Sequence, residues 1–226
     1  QTVVVNPLPV VSYAGLSSSY CINDTFPVTL NGTPVGGTFS GPGISGAFFT
    51  PSDAGVGTHD VIYTYTDNNG CTNADTQQVT VNGLTALILS GLSASYCEDD
   101  TNGVLLAGTP AGGSFSGAGV TGNVFVPADA GAGIHDITYT HTDGNSCTNS
   151  VTETVVVNEL PVVSFSGLAP EYCEDAAQVQ LSGSPSGGTF DGLGITGNTF
   201  NPTTAGVGTH SIVYEYTDGN GCTNSV

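Results

Sequence analysis

Apolar and polar residues alternate most regularly in His59-Asp-Val-Ile-Tyr-Thr-Tyr-Thr66. A period of two puts His59, Val61, Tyr63 and Tyr65 on one face of a strand and Asp60, Ile62, Thr64 and Thr66 on the other. The pattern returns at His135, Ile137, Tyr139 and His141, and again at His210, Ile212, Tyr214 and Tyr216. One face is bulky and the other mostly polar, which predicts a sheet packed on one side only. Each run ends in residues that tolerate positive φ and suit a hairpin: Asp67-Asn-Asn-Gly70, Asp143-Gly-Asn-Ser146 and Asp218-Gly-Asn-Gly221.

Shorter apolar runs surround this hairpin. Val28–Leu30 precedes a Pro and a Gly-Gly pair, and Thr38-Phe39 and Phe48-Phe49 flank a glycine-rich loop. Val79–Val81 then leads through the joint Asn82-Gly-Leu-Thr85 into Leu87–Leu89, and Val155–Val157 leads through Asn158-Glu-Leu-Pro161 into Val162–Phe165. Short strands with turns between them and no helical periodicity predict an all-β sandwich of about seven strands without helices. Joints this short limit bending, so an extended, semi-rigid rod is expected.

The chain is periodic. Tyr20-Cys21, Tyr96-Cys97 and Tyr172-Cys173 each open a stretch, and Cys71-Thr-Asn, Cys147-Thr-Asn and Cys222-Thr-Asn each close one. Cys21, Cys97 and Cys173 are spaced by 76 residues, and the closing cysteines by 76 and then 75. A fixed period signals one folded unit copied in tandem. The copies run from 1 to 82, 83 to 158 and 159 to 226. Gln1-Thr-Val-Val-Val-Asn6 resembles the end strand Glu153-Thr-Val-Val-Val-Asn158, while the third copy stops before its own version of that strand. Two readings follow: a window cut from a longer array, or a Val3–Val5 strand that completes the open unit of another chain and joins chains end to end.

Composition narrows the partners. The 226 residues contain no Lys and no Arg against 19 Asp and Glu, a net charge of −19. Such a surface repels phosphate backbones and anionic lipid, which argues against nucleic acid and membrane surfaces. No apolar run approaches the roughly 20 residues of a membrane helix.

Each unit is small enough to bury only about 60% of its surface, so it needs a staple. Six cysteines, two per copy, supply one. Pairing Cys71 with Cys97 across a joint would orphan Cys21 and Cys222. The expected scheme is therefore one bond within each copy: Cys21–Cys71, Cys97–Cys147 and Cys173–Cys222. Each would close a loop of roughly 50 residues and contribute about 4 kcal/mol. Stable disulfides imply a secreted protein, extracellular or on the cell surface.

Gly-Gly-Thr-Phe-Ser-Gly-Pro-Gly-Ile-Ser-Gly at 36–46, Pro51-x-x-Ala-Gly-Val-Gly-Thr-His59 and Tyr-Thr-Asp-x-x-Gly-Cys-Thr-Asn at 65–73 carry a resemblance. They resemble the PKD-like or immunoglobulin-like repeats of giant Bacteroidota surface proteins, the gliding-motility adhesins of the SprB type exported by type IX secretion. The resemblance covers nearly the whole chain. It implies tandem immunoglobulin-like β-sandwiches serving as the stalk or filament of an adhesin, with further copies of the repeat and a surface or glycan ligand as partners. Catalytic sites are seldom triplicated, so no enzymatic activity is expected. The alternative is a carbohydrate-binding or spacer module of a secreted hydrolase, for which Tyr13, Tyr20, Tyr96 and Tyr172 are the candidate stacking residues.

Few side chains suggest chemistry. His59, His135 and His210 recur without a constant partner, and read as strand-entry residues bonded to the Ala-Gly-x-Gly turn. Nucleophile elbows are absent, and the glycine-rich loop at 41–46 has no following helix to hold phosphate. With intra-copy disulfides, Asp24 would face Asp67; Glu98, Asp99 and Asp100 would face Asp143; and Glu174 and Asp175 would face Asp218. Carboxylates gathered without a cation suit Ca²⁺, although no D-x-D-x-D-G loop is present. The competing reading is a set of solvated acidic loops and no cofactor.

Overall fold

The computed structural model describes residues 1–226. They form two compact units: Gln1–Ile88 with Gly108–Gly113 and Thr140–Val151, and Leu89–Ala107 with Ser114–Tyr139 and Thr152–Val226. No helix is long and apolar enough to cross a membrane.

The first copy contains nine strands: β1 (Ser12–Ala14), β2 (Ser19–Cys21), β3 (Val28–Thr29), β4 (Asn31–Thr33), β5 (Thr38–Ser40), β6 (Ile44–Ser45), β7 (Phe48–Phe49), β8 (Gly57–Thr66) and β9 (Thr72–Asn82). The largest sheet has the order β2-β9-β8-β5, with β1-β4 and β3-β7-β6 as smaller sheets. The long hairpin β8–β9 is antiparallel and runs from Thr66 opposite Thr72 to Gly57 opposite Val81. Strand β2 joins the far end of β9 in parallel, with Tyr20 opposite Val81 and Cys21 opposite Asn82. The second copy repeats the four-stranded order with Ser95–Cys97, Thr148–Asn158, Gly133–Thr142 and Ser114–Ser116.

Alternation along β8 places the core as its pattern predicts. Val61 and Tyr63 are buried while Asp60 is exposed and Ile62 and Thr64 half-buried on the opposite face, and Val79 and Val81 of β9 join the core. Tyr63 is the centre of the sandwich. Its ring lies 4.6 Å from Phe39, which lies 5.3 Å from Tyr13. Its hydroxyl accepts from the Gly37 N–H at 2.8 Å and donates to the Pro34 carbonyl. Gly32 of β4 passes over the ring so closely that a Cβ there would stand 2.1 Å from Cζ of Tyr63. Gly183 passes over Tyr214 in the same way.

One element departs from the sequence reading. A single helical turn, α1 (Pro51–Ala54), follows β7, with counterparts at Pro127–Ala130 and Pro202–Ala205. Four residues are too few to show helical periodicity. Proline at the first turn supplies the helical φ at no hydrogen-bond cost, and Gly55 at φ 81° ends the turn.

The disulfides are the main correction. Cys21 is bonded to Cys147 and Cys97 to Cys222, each opening cysteine reaching the closing cysteine of the following copy. The expected bonds Cys21–Cys71, Cys97–Cys147 and Cys173–Cys222 do not form, and Cys71 and Cys173 remain free thiols. The reason is the hairpin. Cys21 is in register with Asn82 at one end of β9, whereas Cys71 precedes Thr72 at the other. Ten residues of extended strand separate the two ends by about 33 Å, far beyond disulfide reach.

Candidate functional site

The structure concentrates its specific chemistry where the opening of one copy meets the hairpin of the next. Cys21 and Cys147 have Cα atoms 5.5 Å apart, and Cys97 and Cys222 5.6 Å. Cys147 and Cys222 are buried.

Aspartates build the hairpin turns that present these cysteines. Asp143 Oδ1 accepts the N–H groups of Asn145 at 2.9 Å and Cys147 at 3.0 Å. Asp218 Oδ1 does the same for Asn220 at 2.8 Å and Cys222 at 2.9 Å, and Asp67 for Asn69 at 2.8 Å and Cys71 at 2.9 Å. The N–H of Cys147 holds the Asp143 carboxyl below its usual range, against an opposing effect of desolvation; Asn145, Thr85 and His141 add to the lowering. The N–H of Cys222 acts likewise on Asp218. Across the bond, Asp24 Oδ2 accepts the Cys21 N–H at 2.9 Å. Asp24 and Asp143 therefore flank one disulfide, each holding the backbone of one of its cysteines.

The facing carboxylates expected within a copy are thus separated. Asp24 and Asp67 lie at opposite ends of the β8–β9 hairpin, and the same register parts Glu98, Asp99 and Asp100 from Asp143. Glu174 and Asp175 are exposed, as are Asp24 and Asp99. Other acids serve the backbone: Glu98 Oε1 accepts the Leu160 N–H at 2.9 Å, and Asp100 Oδ1 accepts the Asn102 N–H at 3.0 Å. Nowhere do three or more His, Cys, Asp or Glu side chains gather into a candidate metal site.

The Asn of each Cys-Thr-Asn motif has a role that the sequence reading missed. Asn149 Nδ2 donates to the Thr85 carbonyl at 2.9 Å, and Thr85 Oγ1 donates to Asp143 at 3.2 Å, tying the hairpin to the joint that precedes it. Asn73 does this to Pro9 and Asn224 to Pro161, both at 2.9 Å. The triple recurrence of that Asn was the available signal.

The recurrent histidines are structural. Nε2 of His59 donates to the Gly55 carbonyl at 2.8 Å, His135 to Gly131 at 2.8 Å and His210 to Gly206 at 2.9 Å. The four candidate stacking tyrosines are not an exposed platform. Tyr13 is buried and its hydroxyl donates to the Val61 carbonyl at 2.8 Å. Tyr20, Tyr96 and Tyr172 are half-buried, packed 5.5–5.6 Å from Phe49, Phe125 and Phe200.

No protein-family model matches the chain, and no curated protein matches it. Among solved structures it is similar to an adhesin described as Ca²⁺-stabilised, with which an Antarctic bacterium binds ice. The match has 16% identity over 97% of this chain and 72% of that one, at a TM-score of 0.36. A bacterial ice-binding adhesin of 1.5 MDa, described for its retention at the host cell surface, matches at 14% identity over 97% of this chain and 96% of that one, at a TM-score of 0.33.

Proposed function

We propose that the chain is a structural repeat region, the stalk or filament of a secreted bacterial surface adhesin, and that it performs no catalysis. The observation that carries this reading is the disulfide from each opening cysteine to the closing cysteine of the next copy. A bond within a copy would protect only that copy. A bond to the next one carries tension past the joint.

The load path makes the point. Between Gln1 and Val226 the shortest covalent route runs to Cys21, across to Cys147, back to Cys97 and across to Cys222. Fully stretched, the molecule would extend to about a third of the length of its open chain. Such a strut resists lengthening even when its sandwiches unfold.

The resemblance to gliding-motility adhesins supports a Bacteroidota surface protein exported by type IX secretion. Its partners in this reading are further copies of the repeat, joined through the Val3–Val5 strand, and a surface or glycan ligand held away from the cell. The alternative of a carbohydrate-binding module in a secreted hydrolase is left without its aromatic platform.

Two measurements test the proposal. Single molecules pulled end to end should reach about three times the extension after reduction that they reach before it. Immunogold labelling of the producing cells should decorate surface filaments. Equal extension in both redox states, or label found only with a soluble hydrolase, would overturn the reading.

A further inference from the structure

The second copy has a groove of about 450 Å³ between the segment Leu89–Ala94 and the strand residues Glu153 and Thr154. The first copy closes the equivalent place with its own side chains. There the Tyr13 N–H donates to Asp75 Oδ2 at 3.2 Å, and the Tyr13 carbonyl accepts from Gln77 Nε2 at 2.9 Å. Gln77 Nε2 also donates to Asp75 at 3.2 Å, which fixes the amide in place. One period further on, Leu89, Val151 and Glu153 stand in the positions of Tyr13, Asp75 and Gln77.

The change from Gln77 to Glu153 inverts what this place needs. A carboxamide can give a hydrogen to the main-chain carbonyl, whereas a carboxylate has none to give. Leu89 and Glu153 both line the groove, and the Glu153 side chain is exposed. The carbonyl and the carboxylate are thus two acceptors without a donor between them.

The donors in the lining are already committed. Ser90 Oγ gives to the Ala107 carbonyl at 3.3 Å, Thr154 Oγ1 to Asp136 at 2.8 Å, and the Ser93 N–H to the Tyr96 hydroxyl at 2.7 Å. None of the 226 residues is a Lys or an Arg, so no cationic side chain of theirs can supply the missing donor. An external donor that carries positive charge complements the groove in both hydrogen bonding and electrostatics.

Two features narrow that cation. The first copy fills the place with a single terminal nitrogen on an unbranched side chain. Among cationic side chains lysine has that form, while the planar fork of arginine suits paired oxygens of one carboxylate. Leu92, half-buried in the lining, offers apolar surface to a lysine stem whose ammonium stays at the polar end.

We infer that the groove of the second copy binds a lysine side chain of a partner protein, its ammonium held between the Leu89 carbonyl and the Glu153 carboxylate. The first copy, plugged by Gln77, takes no such ligand. Copies alike in fold are therefore unlike in recognition. This goes beyond the strut reading and does not depend on it.

The test titrates the full chain, isotope-labelled, with Nα-acetyl-lysine-N-methylamide and follows the backbone amide signals by NMR. Saturable shifts should appear at Leu89, Ser90 and Glu153 and be absent at Tyr13 and Gln77, with a Kd on the order of 10 mM for one exposed charged contact. The same probe acetylated at Nε has lost its charge and should bind about tenfold more weakly. Glu153→Gln, which copies the plug of the first unit, should lose the shifts. Asp129→Asn removes an exposed carboxylate elsewhere in the second copy and should keep them. Shifts that rise without saturating, shifts equally large at Tyr13, equal shifts with glucosamine or calcium chloride, or shifts that survive Glu153→Gln would each overturn the inference. None of these outcomes touches the disulfide load path, so the strut reading would stand.

Discussion

Cys21 and Asn82 face each other across the parallel strands β2 and β9. This register, rather than separation along the chain, decides which cysteine Cys21 can reach. It sets Cys21 at the joint, where the hairpin of the second copy arrives with Cys147, and leaves Cys71 a full hairpin length away.

Disulfide mapping should therefore recover Cys21–Cys147 and Cys97–Cys222. Cys21→Ser and Cys147→Ser should each lower stability by the same amount, up to about 5 kcal/mol for a loop of 126 residues, and the double substitution by no more than either alone. Recovery of a Cys21–Cys71 peptide would contradict the register.

The Tyr63 site should be intolerant in two distinct ways. Tyr63→Phe strands the Gly37 N–H and the Pro34 carbonyl and should cost about 1–3 kcal/mol in urea unfolding. Gly32→Ala drives a methyl into the ring and should cost at least as much, with Gly183→Ala behaving alike at Tyr214. A neutral effect at Gly32 would mean that the two layers do not pack as described.

Stability should fall at both extremes of pH. Burial raises the Tyr13 phenol to about 12, above its ordinary 10, so its contribution is complete below pH 10 and is lost as pH climbs through 12. Asp143 and Asp218 are held below their ordinary 3.8, so theirs is present above that value and is lost as pH drops through the lowered range. Melting curves of Tyr13→Phe should have a flatter alkaline limb than the parent, and Asp143→Asn a flatter acid limb.

Chelation should leave the melting temperature unchanged. The candidate calcium carboxylates mostly hold backbone N–H groups and are spread along the hairpins. Asp143→Ala should lower the melting temperature equally with and without chelator, because the loss is that of a turn. A fall in the parent's melting temperature on adding chelator would instead support the metal reading.

Much of the fold was legible. The alternation from His59 to Thr66 fixed the face that Val61 and Tyr63 bury, and the turns opened by Asp67, Asp143 and Asp218 marked the hairpins. The role of His59 as a turn ligand was also legible from its place after Ala-Gly-x-Gly. The disulfide partners were not, because spacing gives a period and leaves open which neighbour a periodic residue meets. Counting orphaned cysteines favoured bonds within a copy, whereas the length of β9 forbids them. The helical turn at Pro51 escaped notice for a different reason: it is shorter than any helical repeat.

The two disulfide loops overlap between Cys97 and Cys147. A single break in the backbone anywhere from Cys21 to Cys222 thus leaves both pieces fastened together, and a break in the shared stretch is bridged twice. Damage that would sever a simple string of beads leaves this one whole, to be released only by a change of redox state.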